Sequence, residues 1–488
     1  MKKFILLLLI SLLLHAFPAQ TIAAAQRPSI QKEAYDAEPF NPDVSEERHA
    51  SPPGWLIIPF VLLLLMIATG PLFYEHFWQH HFHHISLGLA ALVIFYYIFI
   101  LHNTHQPIHS LAEYVQFISL LAALYMASGG ILINVDREST PIANVLLLLA
   151  GAFLSNFIGT TGASMLLIRP FIRMNKNRIK PYQIVFFILM ISNIGGALTP
   201  IGDPPLFLGF LKGVPFFWTL EHNWPAWLTA LALLALIFYW IDNASIIKDS
   251  KAPSYANTLS VVGKKNFFWL LLIIFSVFLD PNVLSWVPSI DYDGQRFSFL
   301  RELIMLSVAY FSYRFAAPLA LSGNDFNLHP IREVAFIFVG IFATMMPALE
   351  LIGSYARSAD GAALVSHSSL YWGAGTLSAF LDNAPTYLNF LAAAMAAQGA
   401  DINNMDQVKA FALNHYDDSA FQLMAISIAS VFFGAMTYIG NGPNFMVKSI
   451  AEQSGVKMPS FFGYIIRFTI PILLPILFLV WLVFFAFF

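Results

Sequence analysis

Apolar runs of about twenty residues, separated by short polar segments, fill the chain after residue 54. A run of this length spans the roughly 30 Å hydrocarbon core of a bilayer as a helix. In the first half the pattern predicts crossings at 54–73, 85–102, 113–133, 181–213 and 224–242, with a re-entrant hairpin at 142–172. In the second half it predicts crossings at 266–284, 301–320, 333–352, 419–453 and 460–487, with a hairpin at 370–398. We therefore expect an all-α polytopic membrane protein.

One predicted crossing, 181–213, contains a cluster of helix-breaking and polar residues. They are Gly195, Gly196, Thr199, Pro200, Gly202, Asp203, Pro204 and Pro205. Proline removes a helical donor and glycine frees the backbone, so this helix should unwind. Unwound backbone at membrane depth is tolerated only where it is buried in protein or lines a cavity. The segment is therefore a candidate ion or substrate site.

The chain repeats this pattern. ALTPIGDPPLF (197–207) matches AMTYIGNGPNF (435–445) at six of eleven positions, and these include helix breakers. Upstream, LSNFI (154–158) corresponds to LSAFL (377–381), with turns expected near 156–162 and 382–385. Each half thus carries a hairpin followed by a broken helix. Because each half crosses five times, the second repeat should have inverted topology, as in many secondary transporters.

The two repeats divide the chain into five predicted parts. They are a signal peptide (1–25), an exposed polar tail (26–53), a first transmembrane repeat (54–242), a linker (243–265) and an inverted second repeat (266–488). The signal rests on Lys2 and Lys3, an apolar core and the small residues Ala23 to Ala25, although an uncleaved first span is the alternative.

Composition and charge agree with a membrane protein and orient it. The chain is 58% hydrophobic and 11% charged, its net charge of −3 gives no reason to expect nucleic acid, and it has no cysteine. Lysine and arginine concentrate at 169–180 and in the linker, which the positive-inside rule places in the cytoplasm. Both ends of the mature chain then lie on the outer side of a bacterial inner membrane, and membrane lipid surrounds the helices.

These features resemble a known superfamily. Two hairpins with Ser, Asn or Thr tips, each followed by a helix broken at T-x-I-G-x-x-P, are similar to the ion transporter superfamily. It includes sodium-coupled carboxylate carriers, arsenite exporters and NhaD-type sodium/proton antiporters, and citrate-transporter-like proteins share such tips. The resemblance implies a homodimer with a scaffold and a mobile domain.

Hairpin tips and unwound segments offer hard oxygen ligands that suit Na⁺ or Li⁺. The first repeat would contribute one set of candidate ligands: Ser155, Asn156, Thr160, Thr161, Asn193, Thr199 and Asp203. The second repeat would contribute another: Ser378, Asp382, Asn383, Thr386, Ser430, Thr437, Asn441 and Asn444. The two sets lie on helix ends of opposite repeats, so they could converge near the membrane midplane. No cofactor is expected besides the transported ions.

Asp203 and Asp382 favour cation transport, because both would repel an anionic substrate in a site of low dielectric constant. A carboxylate that binds either Na⁺ or H⁺ makes the two compete, which together with alternating access gives exchange. We therefore expect a Na⁺ (or Li⁺)/H⁺ antiporter rather than an enzyme. The alternative of the same fold is a Na⁺-coupled carrier of citrate or a dicarboxylate.

Three other interpretations involve the same or nearby residues. In the first, Asp203 only caps the helix that follows it. In the second, Asp382 and Asn383 only stabilise the turn at the tip of the second hairpin. Five histidines in EHFWQHHFHH (75–84), which we expect to be a cytoplasmic loop, suggest a solvated loop, a pH sensor or a metal site. A His-dependent membrane metalloenzyme is the distant alternative.

Overall fold

The structure is a computed structural model that describes residues 51–245, 258–281, 284, 286–292 and 295–486. The predicted signal peptide, nearly all of the polar tail and half of the linker lie outside the described residues.

The first half of the described chain contains seven α-helices after a 3₁₀ turn at Gly54–Ile57. They are α1 (Ile58–Phe73), α2 (Glu75–Phe99), α3 (His105–Gly129), α4 (Pro141–Met174), α5 (Pro181–Met190), α6 (Pro204–Lys212) and α7 (Trp218–Ala244). Proline is the first residue of α4, α5 and α6. Its fixed φ suits this position, where its missing N–H is not needed.

The second half contains longer helices joined by short ones. They are α8 (Lys265–Val277), α9 (Leu300–Arg314), α10 (Pro318–Gly323), α11 (His329–Ala356), α12 (Ala359–Ala363), α13 (His367–Phe380), α14 (Asn383–Ala397), α15 (Met405–Ala412), α16 (Ser419–Phe433), α17 (Gly442–Gln453), α18 (Phe461–Tyr464) and α19 (Leu474–Phe484). A π-helix, Ile465–Leu473, joins the last two.

Eight helical segments within the described residues are long and apolar enough to cross a membrane. They are Gly54–Pro71, Glu75–Phe99, His105–Gly129, Pro141–Met174, Trp218–Ala244, His329–Ala356, Ser419–Met436 and Phe461–Phe484. The protein is therefore an all-α polytopic membrane protein.

Both interrupted helices and both hairpins are visible in the helix bounds. The helix at 181–212 stops at Met190, continues as a 3₁₀ turn at Ile194–Gly196 and resumes at Pro204. Its counterpart stops at Phe433, continues as Gly434–Met436 and resumes at Gly442. The first hairpin turns at Gly159, where φ is 76° and ψ is 155°, and the second turns between Phe380 and Asn383. The backbone therefore departs from helix where the breakers predict it.

The hairpins and interrupted helices pack across the two halves of the chain. Helix α14 of the second hairpin lies against α6, and α17 lies against the first hairpin, α4. Helices α13 and α16 pack along each other in the same core. The segments that carry the candidate residues are thereby brought to one region.

Two features differ from the sequence prediction. Residues 75–84, predicted as a loop, form the first turns of α2. Histidine interrupts an apolar run but is compatible with a helix, so hydropathy alone misplaced this boundary. In addition, β1 (Leu132–Asp136) pairs antiparallel with β2 (Thr258–Val262) inside the predicted linker, and β3 (Ile290–Tyr292) pairs with β4 (Gln295–Phe297).

Candidate functional site

The first hairpin fixes the unwound backbone of the helix that follows it. Ser155 Oγ donates a hydrogen bond to the carbonyl oxygen of Ile191 at 2.9 Å. Asn156 Nδ2 donates to the carbonyl oxygen of Gly195 at 2.7 Å, while its Oδ1 accepts from the N–H of Leu198 at 2.9 Å. These polar side chains satisfy main-chain groups that the interrupted helix leaves unpaired. Their observed role is to position the backbone.

The two threonines of the repeated motif make equivalent contacts. Thr199 Oγ1 donates to the carbonyl oxygen of Asn156, and Thr437 Oγ1 donates to that of Ala379 at 2.6 Å. Each threonine oxygen also accepts from the N–H of the glycine three residues later, at 3.2 Å and 3.1 Å. Both interrupted helices are therefore attached to their hairpins in the same way.

Paired glycines allow each unwound segment to fold back on itself. A Cβ added to Gly196 would lie 2.7 Å from the carbonyl oxygen of Gly202, and one added to Gly440 would lie 2.7 Å from that of Gly434. Real Cβ atoms do not approach a backbone oxygen this closely, so each of these positions requires glycine.

The Asp203 carboxylate lies where both hairpins and both interrupted helices meet. It accepts hydrogen bonds from Thr160 Oγ1 at 2.8 Å, Asn383 Nδ2 at 2.6 Å and Asn441 Nδ2 at 3.0 Å. The residue is 1% exposed. Although Asp203 precedes α6 at the N-cap position, its side chain makes no cap hydrogen bond. The interpretation of Asp203 as a helix cap is therefore wrong.

The three donors to Asp203 are related by the sequence repeat. Thr160 and Asn383 follow the two hairpin turns at equivalent positions, and Asn441 occupies the place of Asp203 in the second copy. Asn441 Nδ2 also donates to the carbonyl oxygen of Ser192 at 3.2 Å. Ligands predicted as two sets, one from each repeat, thus contact one another. The two sets lie on helix ends of opposite repeats and meet at Asp203.

Asp382 has a different environment. Its Oδ1 accepts from the N–H of Ala384 at 3.0 Å, so the side chain caps α14, and its carbonyl oxygen accepts from Thr386 Oγ1 at 2.9 Å. The carboxylate is half-buried, one residue before Asn383. Asp382 therefore stabilises the tip turn. Asn383 does more than stabilise this turn, because it donates to Asp203.

The remaining candidate residues lie in the hairpins and in the two interrupted helices. Asn193 Nδ2 donates to Asn444 Oδ1 at 2.7 Å, and Asn444 Nδ2 donates to the carbonyl oxygens of Gly434 and Thr437 at 2.8 Å and 2.9 Å. Ser378 Oγ donates to the carbonyl oxygen of Ser430 at 2.6 Å. Among the described residues, the buried Asn193 Oδ1 and Ser430 Oγ have no hydrogen-bond partner, and Thr161 is half-buried next to Thr160.

A family model with the description "Putative citrate transport" matches residues 49–485. The chain belongs to this family. The predicted resemblance to citrate-transporter-like proteins is therefore confirmed, and the match covers both halves of the described chain. No curated protein matches the sequence.

In this member of the citrate transport family, sequence reasoning missed one buried polar cluster. Asp242, fully buried near the end of α7, accepts from Arg178 at 2.8 Å, Tyr182 at 2.7 Å, Gln183 at 3.0 Å and Asn144 at 3.0 Å. The sequence feature that could have revealed this cluster is an aspartate at the end of an apolar span, with Asn and Gln in neighbouring spans. The cluster joins the base of the first hairpin to α5 and α7.

Proposed function

We propose that the protein is a secondary active transporter that exchanges Na⁺ (or Li⁺) for H⁺ at Asp203. The observation that carries the proposal is a buried carboxylate whose three hydrogen-bond donors are neutral side chains. A buried charge without a partner of opposite charge is costly, so such a carboxylate favours binding either a proton or a metal cation. Competition between the two, combined with alternating access, produces exchange.

The surroundings of Asp203 supply further oxygen ligands. The hydroxyl of Thr160 is an acceptor as well as a donor, and rotation of the Asn383 or Asn441 amide replaces its NH₂ with a carbonyl oxygen. Hard cations prefer such ligands. The same side chains would then donate to the carboxylate in one state and contact the ion in the other.

Alternating access would follow from two inverted repeats. In the proposed topology, 134–141 and 243–265 are cytoplasmic, and the pairing of β1 with β2 connects these two segments. Lys212 and Glu113, assigned to the outer face, form an ion pair at 2.7 Å. Both of these contacts, the β1–β2 pairing and the Lys212–Glu113 ion pair, join segments assigned to the same face of the membrane. We further propose a bacterial inner-membrane location and, from the resemblance, a homodimer.

A Na⁺-coupled carrier of citrate or a related carboxylate is the second candidate. The description of the matching family favours it. Against it, no lysine or arginine among the described residues is hydrogen-bonded to Asp203, Asn383 or Asn441. An anion at this place would meet the Asp203 charge without a positive side chain to compensate.

One preparation of purified protein in liposomes distinguishes the candidates. We expect addition of Na⁺ or Li⁺, but not K⁺, to dissipate a preset pH gradient, and labelled citrate to remain outside with or without Na⁺. Asp203→Asn should abolish the response. Asp417→Asn, the same change at an exposed position, should leave it intact. Na⁺-dependent citrate uptake without dissipation of the gradient would instead support the carboxylate carrier.

A further inference from the structure

The histidines at the start of α2 form an ordered helical surface rather than a loop. His76, His80 and His84 recur every four residues, and all three are exposed. Residues four apart on a helix are neighbours on the same face. The proposed transport mechanism uses none of these side chains, so the surface needs a separate explanation.

Hydrogen bonds to the backbone orient the exposed rings. His80 Nδ1 lies 2.7 Å from the carbonyl oxygen of His76, and His81 Nδ1 lies 2.9 Å from that of Phe77. A carbonyl oxygen only accepts, so Nδ1 carries the proton in both rings. When the ring is neutral, its lone pair then lies on Nε2, the nitrogen that does not face the backbone carbonyl. A neutral imidazole held this way is the common form of a histidine metal ligand.

Ring contacts identify which two histidines form a pair. The ring centroids of His76 and His80 are 4.4 Å apart. His84 instead lies against His83 at 4.0 Å, and His81 stacks on Phe77 at 4.5 Å. His76 and His80 are therefore the two rings of the stripe that face each other across one helical turn.

We propose that His76 and His80 chelate one divalent transition-metal ion of the Zn²⁺, Ni²⁺ or Cu²⁺ class. Imidazole nitrogen suits these ions, and the two rings lie on one helix face with centroids 4.4 Å apart. Within the described residues, no group of three or more His, Asp or Glu side chains is arranged to hold a metal. Water completes the coordination, so the ion is exchangeable rather than structural.

The position of the pair keeps it accessible to aqueous ions. Helix α2 has 25 residues, and at about 1.5 Å per residue it exceeds the roughly 30 Å hydrocarbon core. Its first turns also carry the exposed hydrogen bond from Gln79 Nε2 to Glu75 Oε1, at 2.9 Å. These polar groups indicate the interfacial end of the helix.

Calorimetric titration of the purified full chain with Zn²⁺ tests the proposal. We expect one site in the wild type and a loss of at least about tenfold in affinity in both His76→Gln and His80→Gln, because each removes half of the chelate. His81→Gln is the matched control and should bind as the wild type does. Absence of binding in the wild type, or equal losses in His80→Gln and His81→Gln, would overturn the proposal.

A spectroscopic measurement gives an independent readout. Electron paramagnetic resonance of one bound Cu²⁺ should show coupling to two imidazole nitrogens in the wild type and to one in His80→Gln. An unchanged spectrum in His80→Gln would assign the copper to other side chains and overturn the two-histidine site.

Discussion

The Asp203 carboxylate has more acceptor capacity than its observed hydrogen bonds use. An ionised carboxylate offers about four lone-pair sites, and three donors contact this one. One donor comes from each hairpin and one from the second interrupted helix. A change of charge at Asp203 therefore alters the hydrogen bonds of all three segments at once. In the proposed mechanism, this arrangement connects ion or proton binding at Asp203 to the relative positions of the repeats.

Moving the carboxylate from Asp203 to Asn441 tests the equivalence of the two positions. We expect Asp203→Asn to abolish Na⁺-dependent dissipation of a pH gradient, because an amide cannot hold the exchanged proton or balance the cation. The double variant Asp203→Asn, Asn441→Asp restores the charge about 3 Å away and should regain part of the activity. Asp203→Asn retaining full activity would contradict a role for this carboxylate.

Substitutions can separate the helix cap formed by Asp382 from the role in exchange that we propose for its charge. Asparagine caps a helix as well as aspartate does, whereas alanine costs about 1 kcal/mol of stability. Asp382→Asn should therefore keep the thermal stability of the wild type, and Asp382→Ala should lower it. We expect both to weaken Na⁺ activation of exchange, because the Asp382 charge is adjacent to Asn383 and hence to the site. If Asp382→Asn is as stable as the wild type and exchanges ions at the same rate, then Asp382 acts only as a helix cap.

At the scale of elements, local chemistry predicted the interruptions well. Gly195, Gly196 and Pro204 act on their own backbone, so their effect is readable from the sequence. Contacts between distant segments could not be predicted from the sequence. The pairing of β1 with β2 joins residues more than a hundred positions apart, and the Asp242 cluster depends on four helix ends meeting. The same limitation explains why the sequence did not predict which donors would contact Asp203 where the two ligand sets meet.

Gly159 is the backbone position on which the first hairpin turn depends. Its φ of 76° with ψ of 155° is a conformation essentially confined to glycine. We expect Gly159→Ala to destabilise the protein by about 1–3 kcal/mol, measured by thermal unfolding in detergent. Gly162→Ala is the matched control, since its added Cβ would lie 3.4 Å from Ser128 Oγ, an ordinary contact. Equal stability of the two variants would argue against a strained turn at Gly159.

The Asp242 cluster should stabilise the base of the first repeat. Asp242→Ala removes the ionic partner of Arg178, whose side chain is 20% exposed. It also removes one acceptor from Tyr182 and one from Gln183, which keep their hydrogen bonds to Ser245 and Asn175. Breaking a buried pair from one side costs about 3–5 kcal/mol, and partial exposure of Arg178 places the expected loss at the lower end. Thermal unfolding measures it, with Asp417→Ala as the exposed control. A loss of stability as small as that of Asp417→Ala would show that the cluster contributes little to the stability of the protein.

At the scale of the molecule, ion pairs at both proposed faces connect the site-bearing helices to their neighbours. Lys212, at the end of α6, pairs with Glu113 of α3 at the proposed outer face. Arg169, in the second arm of the first hairpin, pairs with Asp325 at 3.3 Å at the proposed cytoplasmic face. Both agree with a topology derived only from basic residues and the number of crossings. That topology depends on α8, whose 13 residues span about 20 Å, less than the hydrocarbon core.

Cysteine labelling tests whether α8 and the residues that follow it cross the membrane. The chain has no cysteine, so Ser260→Cys before α8 and Ile290→Cys after it each introduce one thiol, both at exposed positions. In intact cells, an impermeant maleimide should label Ile290→Cys alone, and after permeabilisation it should label both. If both thiols react from the same side, α8 does not cross, and the rest of the second repeat has the same orientation as the first. The two hairpins would then enter from one face, and exchange by opposed repeats around Asp203 would lose its structural basis.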